Sequence, residues 1–432
     1  MKSIWLDTAQ KPDFAPLEGN IQTDVLIVGG GLTGLLCADM LQEAGVDYTL
    51  IEAGEVCSGI TKNTTAKVTV QHGLIYDKIR KKYGLDGAKA YYTANHNALA
   101  RYRQLCKKLG CRFETQDAYV YSRTDPRELE AEVKAYRAMG VKAEFTEKTA
   151  LPFAVAGAVK VDNQGQIHPL EFLYALAKGL NIREHTKLVA FTPNCAQTDR
   201  GTIRFQKAIV ATHFPMLNKH GLYFLKLYQH RSYVLALKNA QPVDGMYVDA
   251  DLRGLSFRNY GDLLLLGGGS HRTGKQGGGY AELIAVAERY YPKATVVTRF
   301  ATQDCMSLDG IPYIGQYSKN TPDLLVATGY NKWGFTSAMV AAEMLCKQIR
   351  GKSSQFSEIF SPARCILQPQ LAVNSIETAL NLLTPTVPRC PHLGCALKYN
   401  KQEHTWDCPC HGSRFTEEGK LIDNPATDDK RL

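Results

Sequence analysis

The chain has 432 residues, enough for two or three domains, and its 44% hydrophobic and 22% charged residues give it the composition of an ordinary globular protein with ample core. The net charge of +9 is mild for this length, and basic clusters such as residues 78–82 are more typical of a solvated helix face than of a nucleic-acid site. We therefore expect no nucleic-acid partner.

The sequence shows no signal-peptide pattern and no candidate membrane span. The first 20 residues lack the apolar core of a signal peptide, and no uninterrupted apolar run reaches the roughly 18 residues expected for a membrane helix. We therefore expect a cytoplasmic protein. Most of the twelve cysteines sit singly in apolar surroundings, which predicts buried thiols, but four crowd into residues 390–410.

A glycine-rich turn between two apolar strands is the clearest motif of the N-terminal part. Gly29, Gly31 and Gly34 follow the apolar run 25–28 at G-x-G-x-x-G spacing, and a helical pattern and a second apolar strand come next. The glycines allow a tight turn, close approach of a pyrophosphate and close helix–strand packing, while the helix N-terminus faces the phosphates. Glu52 ends the second strand, where a carboxylate can accept hydrogen bonds from a ribose. The motif predicts a dinucleotide site rather than a plain tight turn, and it leaves NAD and FAD both open.

Helical and strand-like patterns alternate in the next 200 residues. Residues 54–67 form a polar loop where the chain could wrap a cofactor. Residues 233–266 alternate strand-like segments with polar turns, which predicts an antiparallel sheet. Helices are predicted over about 87–109 and 127–139, and short strands over 118–122, 188–191 and 208–211.

The glycine-rich segment 267–272 follows four leucines and superficially resembles a second dinucleotide loop. Its spacing does not match, and the residues after it do not begin a helix, so we interpret it as a turn at a sheet edge. A reductase that uses both FAD and NAD(P)H would usually need a second such fold, so a substrate is the expected source of electrons.

We call the first 350 residues the body. Its last part is predicted as a strand, 324–327, a loop, 329–334, and an apolar helix from Phe335 whose N-terminus could meet a polar ligand atom. Helical structure is expected to end near Arg350. Residues 351–388 contain several serines and prolines with weak periodicity, which predicts a linker with one short helix.

Four segments of the first 350 residues read, in order, SIWLDT…PLEGNIQTDVLIVGGGLTGL, KAIVATHFP, DGIPYIG and LLVATGYNKWGFTSAMVAAEML. Together they resemble the D-amino-acid-oxidase-like group of FAD flavoproteins, which includes glycine, sarcosine and γ-glutamylputrescine oxidases. The resemblance implies FAD, and an α/β (α+β) fold in which a Rossmann-like FAD-binding domain is joined by an antiparallel-sheet substrate domain. The implied FAD-binding parts are about 21–80, 150–215 and 300–350, and the substrate parts are about 81–149 and 216–299.

The resemblance also implies cofactor-binding residues. By position, the three glycines would meet the pyrophosphate, Glu52 the ADP ribose, and the Val189 backbone the adenine. Residues 65–67 would lie near the isoalloxazine ring, and Gly334 and Phe335 near its pyrimidine edge. The full implied set is Gly29, Gly31, Gly34, Glu52, Thr65, Lys67, Val189, Gly310, Gly329, Gly334 and Phe335.

The chemistry implied by this cofactor is hydride transfer to flavin N5 from a carbon that bears an amine or hydroxyl. Such a reaction depends on positioning and exclusion of water, so we expect no catalytic triad. Arg231, Arg258 and Arg272 are candidates to anchor a substrate carboxylate, with Tyr233 as a hydroxyl donor; an ordinary surface arginine is the alternative for each. Some relatives attach FAD to a cysteine, but the position of Cys305 does not match that pattern, so we expect noncovalent FAD.

Two cysteine–histidine motifs lie between residues 388 and 415. Cys390 and His392 form C-x-H, and Cys408 and His411 form C-x-x-H. Two thiolates and two imidazoles on two loops can hold a zinc ion.

The letters around these motifs, CPHLGC and CPCHGS, resemble the two cluster loops of Rieske proteins. That resemblance implies a 2Fe–2S cluster, with two thiolates on one iron and two imidazoles on the other. It also implies a disulfide between Cys395 and Cys410, against which a reducing cytoplasm would act. We expect a short all-β Rieske module at 388–432 after a linker at 351–387, with part of its usual base sheet missing or supplied by the neighbouring surface.

These features predict an oxidoreductase with two cofactors. A small-molecule amine or amino acid would reduce FAD, and the electrons would pass to the Rieske cluster and an unidentified external acceptor. The alternatives are a plain FAD oxidase with a structural metal module, and a non-enzymatic redox sensor or electron carrier. A ring-hydroxylating oxygenase would need an iron site of two histidines and one carboxylate, and the remaining histidines show no such spacing on a helix.

Overall fold

The structure, a computed structural model, describes residues 2–217, 220–385 and 388–430, so the last two residues of the predicted linker and of the predicted Rieske module lie outside it. Among the helices of these residues, none is both long and apolar enough to cross a bilayer. The helices are α1 (Leu32–Glu43), α2 (Tyr76–Leu109), α3 (Arg127–Ala138), α4 (Pro169–Ala177), α5 (Tyr223–Lys226), α6 (Gly279–Tyr290), α7 (Gly334–Ile349), α8 (Ser357–Phe360) and α9 (Pro369–Leu383).

A six-stranded sheet carries the glycine turn. Its order is β18 (Tyr313–Gln316), β19 (Leu324–Thr328), β12 (Lys207–Val210), β2 (Val25–Val28), β3 (Tyr48–Ile51) and β8 (Ile182–Arg183). All pairs are parallel except β18–β19. Strand β2 is buried along its whole length, as its apolar sequence predicts, and α1 packs against α7 beside it. The register places Val28 beside both Val210 and Ile51, so three strands end at one edge and bring their following loops together.

A nine-stranded mixed sheet forms the second half of the body. Its order is β17 (Thr295–Ser307), β13 (Leu227–Lys238), β16 (Leu263–Arg272), β15 (Ser256–Tyr260), β14 (Met246–Asp249), β5 (Phe113–Ser122), β7 (Gly157–Ile167) and β4 (Lys67–Val68), with β6 (Glu144–Thr146) also on β7. The pairs are antiparallel except β5–β14. A small sheet of β1 (Ile21–Gln22), β11 (Gly201–Arg204), β10 (Cys195–Thr198) and β9 (Leu188–Thr192) completes the body.

The glycine-rich segment after the leucine run is not a turn at a sheet edge, as the sequence suggested. It lies within β16, a strand hydrogen-bonded on both sides, by β13 and β15. The glycines are explained by close packing, because a Cβ at Gly269 would come within 2.4 Å of the Gly279 carbonyl oxygen, next to the start of α6. A Cβ at Gly268 would similarly lie 2.8 Å from the Leu255 side chain.

The predicted linker contains two helices, α8 and α9, where one short helix was expected, and α9 is 15 residues long. It begins with Pro369 in the first turn, a position that proline favours. The second predicted helix of the body also starts earlier than expected: α2 begins at Tyr76 and is interrupted at Gly84, whose φ is +74°.

A four-stranded antiparallel sheet forms the C-terminal module, in the order β20 (Lys398–Asn400), β21 (Thr405–Asp407), β22 (Arg414–Thr416) and β23 (Leu421–Asp423). The module lies directly on the large sheet of the body. Gln303 of β17 donates through Nε2 to the Gly412 carbonyl at 2.8 Å. Arg272 of β16 donates to the Pro409 and Cys410 carbonyls at 3.0 and 3.2 Å. The body therefore supports the loop at 408–412 directly.

Candidate active site and metal centre

A connected cavity of about 1270 Å³ runs from the glycine turn, past the large sheet, to residues 420–424 of the C-terminal module. Pockets for drug-sized ligands enclose roughly 300–1,000 Å³, so this cavity has room for a dinucleotide and a substrate. The predicted cofactor residues that line it are Gly29, Gly31, Glu52, Thr65, Lys67, Gly310, Gly329, Gly334 and Phe335. Gly34 lies beneath the turn. The Val189 side chain is exposed and its neighbour Leu188 lines the cavity instead, so the adenine contact of Val189 stays a prediction.

The glycine turn forms a cradle that only glycine permits. Gly29 has a φ of +111°, and a Cβ there would lie 2.7 Å from the Ala211 carbonyl oxygen. A Cβ at Gly34 would lie 1.9 Å from the Gly29 carbonyl oxygen, inside the strand–helix contact. Helix α1 begins at Leu32, with no side-chain cap on its N-terminus. The Leu32 N–H donates to Thr61 Oγ1 at 3.3 Å. The N–H groups of Thr33 and Gly34, which have no acceptor within the helix, can bind a diphosphate, which fits the FAD cofactor.

Glu52 is fixed beside this cradle by two backbone donors. Its Oε2 accepts from the Gly30 N–H at 2.7 Å, and its Oε1 accepts from the Gly54 N–H at 2.9 Å. Burial raises the pKa of Glu52, and these two hydrogen bonds oppose that rise. Each carboxylate oxygen keeps a second lone pair, so the group can still accept from the hydroxyls of a ribose.

The segment 65–67 contributes Thr65 and Lys67 to the cavity wall. Arg258 holds this segment from behind, donating through Nη1 to the Thr65 and Ala66 carbonyls. Lys67 lines the cavity, and burial together with Arg258 lowers the pKa of its amine to about 7. Arg258 is thus a support for the predicted ring-binding segment and does not line the cavity.

The other two predicted substrate arginines lie in the contact with the C-terminal module. Arg231 forms an ion pair with Glu403, and Arg272 holds the 408–412 loop through backbone carbonyls. None of the three arginines lines the cavity, because each is taken by a structural partner. Tyr233 does line it, although its hydroxyl donates to Glu403 Oε1 at 3.0 Å.

Two charged residues that the sequence reasoning passed over line the cavity near the large sheet. Lys332 lies in the loop after β19, and its Nζ donates to Ser270 Oγ at 3.2 Å and the Leu252 carbonyl at 3.1 Å. Asp304 lies on β17, where burial raises the pKa of its carboxyl to about 6 while the nearby Lys332 and Arg231 oppose the rise. A half-buried carboxyl with a raised pKa near an amine that lines the same cavity is typical of a functional site.

The loop that carries Lys332 has an unusual backbone. Asn331 and Lys332 have φ values of +52° and +72°, which are uncommon for residues other than glycine. Asn331 holds this shape, because its Oδ1 accepts from the Ser307 N–H at 2.8 Å and its Nδ2 donates to the Gly329 carbonyl at 2.5 Å. The one sequence signal for this site was the position of the loop, between an apolar strand and a helix N-terminus.

Cys305 also lines the cavity but is an unreactive thiol. It is buried against Thr328, with Sγ 3.5 Å from Oγ1, and burial raises the pKa of the thiol to about 12. A neutral thiol is a poor nucleophile, which fits noncovalent FAD.

The four predicted metal ligands come together on two similar loops of the C-terminal module. In each loop the glycine N–H donates to the carbonyl of the first cysteine at 2.9 Å, from Gly394 to Cys390 and from Gly412 to Cys408. The Cys390 and Cys408 thiols contact each other, and that hydrogen bond lowers the pKa of Cys390 to about 7. The two imidazoles also pack against each other edge to face, with ring centroids 5.0 Å apart.

The contact of thiol with thiol and of imidazole with imidazole fits a 2Fe–2S cluster with each pair on its own iron. The sulfurs of Cys395, Cys408 and Cys410 also lie close together, but Cys395 and Cys410 are joined in the disulfide that the Rieske resemblance implied. They are therefore not available as thiolate ligands.

His411 is oriented for a ligand. Its Nε2 lies 3.0 Å from the Phe224 carbonyl of the body and donates to it, which leaves Nδ1 as the acceptor nitrogen. That Nδ1 is buried and has no hydrogen-bond partner among the described residues. An imidazole held in this way presents a lone pair to a metal.

Comparison with known proteins gives the same two-part organisation. The family described as FAD dependent oxidoreductase matches residues 24–348, and the Rieske [2Fe-2S] domain matches residues 375–431. The putative Rieske 2Fe-2S iron-sulfur protein YhfW of Bacillus subtilis is 33% identical over 491 residues, covering 98% of this chain and 96% of that protein. Gamma-glutamylputrescine oxidoreductase of Escherichia coli is 24% identical over 79% of this chain and 87% of its own length.

Among solved structures, glycine oxidase from Geobacillus kaustophilus superposes with a TM-score of 0.68 at 18% identity, covering 80% of this chain and 99% of that one. The predicted fold class and both predicted cofactors, FAD and a 2Fe–2S cluster, are confirmed. The chain belongs to the FAD-dependent oxidoreductase family typified by D-amino-acid oxidase, and it carries a Rieske 2Fe–2S domain at its C-terminal end.

Proposed function

We propose that this protein oxidises a C–N bond of an amine or amino acid and delivers the electrons, through its Rieske domain, to an external acceptor. The observation that supports electron transfer from the flavin to the cluster is a direct hydrogen-bonded contact between the cavity wall and the cluster loop. Glycine oxidase and gamma-glutamylputrescine oxidoreductase, which the chain resembles in fold and sequence, act on compounds of this class by their names.

Gln229 of β13 makes that contact. Its Oε1 accepts from Nε2 of His213, a cavity-lining residue, at 3.1 Å. Its Nε2 donates to the carbonyls of His411 at 3.0 Å and Asn424 at 3.1 Å. Asn424 in turn donates to the Thr212 carbonyl at 2.6 Å. One buried side chain therefore links the proposed flavin cavity to a proposed cluster ligand, which is the arrangement that a relay within one chain needs.

Bound FAD supplies the hydride acceptor. An ammonium substrate must first lose a proton, and Asp304 is the candidate base because its pKa of about 6 leaves it largely ionised at neutral pH. Lys332 is the candidate partner for a substrate carboxylate in place of the three predicted arginines. The residues at 420–424 line the cavity on the side of the C-terminal module.

We further propose cofactor roles for the residues that the cavity and the two loops bring together. Gly29, Gly31 and Gly34 form the diphosphate cradle, and Glu52 binds the ribose. The cluster ligands are Cys390, His392, Cys408 and His411.

A plain oxidase with a structural metal module and a non-enzymatic carrier are the competing functions. The first leaves the Gln229 contact without a role, and the second leaves Asp304 and Lys332 unexplained. An anaerobic titration of the purified protein with a panel of amines and amino acids tests the proposal. We expect at least one compound to bleach the flavin bands and to produce the EPR signal of a reduced Rieske cluster. Flavin bleaching without that signal would support the plain oxidase, and no bleaching by any compound would support the carrier.

A further inference from the structure

Helix α9 is oriented with its polar face toward the protein. The inward residues Asn374, Glu377 and Asn381 lie at helical spacing i, i+3 and i+7. Asn374 Oδ1 accepts from Arg272 at 2.8 Å, and Glu377 pairs with Lys275 at 2.7 Å. The Asn381 carbonyl accepts from the Ala396 N–H at 3.0 Å. These partners, on the body and on the first cluster loop, fix the rotation of the helix about its axis.

The outward face is correspondingly apolar. Val373, Ile376, Leu380 and Leu383 lie at i, i+3, i+7 and i+10, and their side chains are 51%, 61%, 60% and 82% exposed. Leu367, just before the helix, is 79% exposed. Apart from the inward Glu377, residues 365–385 contain no charged side chain. A surface helix of a monomer normally has the opposite polarity.

The exposed apolar area of this helix is comparable to that of a protein–protein contact surface. With Leu382, which is 43% exposed, they leave roughly 600 Å² of apolar surface, near the upper end for the largest patch of a monomer. A standard interface buries about 800 Å² on each partner, so this surface could form most of one side.

We propose that the outer face of α9 is the contact surface for a second copy of this chain, packed helix against helix about a twofold axis. In an isologous contact the same patch of each subunit packs against its own copy. An uncharged apolar patch can pack in this way without like-charge repulsion. Ala372, Ser375 and Ala379 lie between the large residues and leave grooves into which the partner's side chains can pack.

A membrane surface fits this helix less well. Helices that lie in the interface of a bilayer carry lysine and arginine around an apolar face. α9 contains neither, and its polar side is already used in contacts with the protein. The dimer proposal is independent of the catalytic proposal, since the residues involved lie outside the cavity lining.

Sedimentation velocity over a concentration series of the full-length holoprotein tests the inference. We expect the wild-type protein to sediment at twice the chain mass of 47.8 kDa at micromolar concentration. Ile376→Glu and, separately, Leu383→Glu should raise the dimer dissociation constant by at least about 100-fold, because each places an unpaired carboxylate in an apolar contact. Val297→Glu, on β17 and 54% exposed, is the matched control and should leave the dimer intact.

FAD content and far-ultraviolet circular dichroism of each variant show that a change in mass is not a failure to fold. A wild-type protein that stays monomeric up to about 100 µM overturns the proposal. A dimer that survives both α9 substitutions also overturns it, since the interface would then lie elsewhere. Flotation of a monomeric wild-type protein with vesicles of phosphatidylglycerol and phosphatidylcholine, lost in Ile376→Glu, would assign the patch to a membrane instead.

Discussion

Replacing Glu403 by glutamine removes the central charge from the contact between the Rieske domain and the body. Glu403 lies on the Rieske domain, and its Oε1 accepts from Arg231 Nε and the Tyr233 hydroxyl, both at 3.0 Å. Its Oε2 accepts from Arg414 at 2.9 Å. The carboxylate thus joins an arginine of the body to an arginine of the module.

The size of the effect follows from the pKa of this group. Burial alone would raise the pKa of Glu403, but Arg231 and Arg414 lower it from 4.5 to about 2. Because the folded pKa lies below the unfolded value, the ionised form stabilises the fold above about pH 5, and this stabilisation is lost as the pH falls toward 2. The difference corresponds to roughly 3 kcal/mol. Glu403→Gln leaves the buried Arg231 guanidinium without its carboxylate partner, whereas Arg414 keeps Asp407 and Asp423. We therefore expect the free energy of unfolding at pH 7 to fall by about 3–5 kcal/mol.

Urea unfolding at pH 7, 6, 5, 4 and 3, followed by the visible circular dichroism of the cluster, measures both the loss and its pH dependence. Between pH 6 and pH 3 protonation of this carboxylate should lower the free energy of unfolding of the wild-type protein by about 2 kcal/mol. The variant lacks the carboxylate and shows no such decrease, so the two plots of unfolding free energy against pH should converge at low pH. Glu147→Gln, at an exposed carboxylate of the body, is the control and should follow the wild-type curve. A Glu403→Gln curve parallel to the wild-type curve would refute the reasoning.

Three further predictions concern the cofactors and the base. Gly34→Ala should give a protein without flavin absorbance, because the new Cβ would lie 1.9 Å from the Gly29 carbonyl oxygen. Gly351→Ala, at an exposed turn outside the cavity lining with no atom within 4 Å of its Cβ, should keep full flavin content, and equal flavin in both variants would count against the cradle. Asp304→Asn should abolish the rise of kcat/KM with pH around 6, since the base acts only when deprotonated, and should lower kcat by roughly 10²–10⁴-fold; an unchanged pH profile would remove Asp304 from this role. His411→Ala should lose the Rieske EPR signal while the flavin spectrum stays at wild-type intensity, and a retained signal would show that another residue binds the iron.

The elements that the sequence predicted well are those specified by local pattern. The strand, glycine turn and helix from Val25 to Glu43 follow from apolar runs and glycine spacing, and the structure has them at the expected positions. The two cluster loops are equally local, because each is a short turn between a cysteine and a glycine.

The roles of the arginines could not be read in the same way. Arg231 is paired with Glu403, 172 residues away, and Arg272 with carbonyls of the 408–412 loop. Nothing in the sequence near these arginines indicates that a second domain covers them. The same holds for the proximity of Asp304 to Lys332, since the first lies on a strand of the large sheet and the second in a loop after a strand of the other sheet.

The length and orientation of helix α9 and the role of the glycine run of β16 were not predicted, because their partners determine them. The outward apolar face of α9 is explained only by the polar partners that its inner face finds on the body and the cluster loop. The glycines of β16 are explained only by the approach of the Gly279 backbone at the start of α6. In both cases a tertiary contact, and no local propensity, decides the structure.

The central claim is that electrons pass from the flavin cavity to the Rieske cluster within one chain. Anaerobic stopped-flow reduction by a turnover substrate tests it most directly. We predict that the flavin bleaches first and that the cluster follows in a phase whose rate does not depend on protein concentration. Gln229→Leu, similar in size but without the hydrogen bonds to His213 and His411, should slow only this second phase. A cluster that stays oxidised while the flavin is reduced, or a second phase that accelerates with protein concentration, would contradict the account.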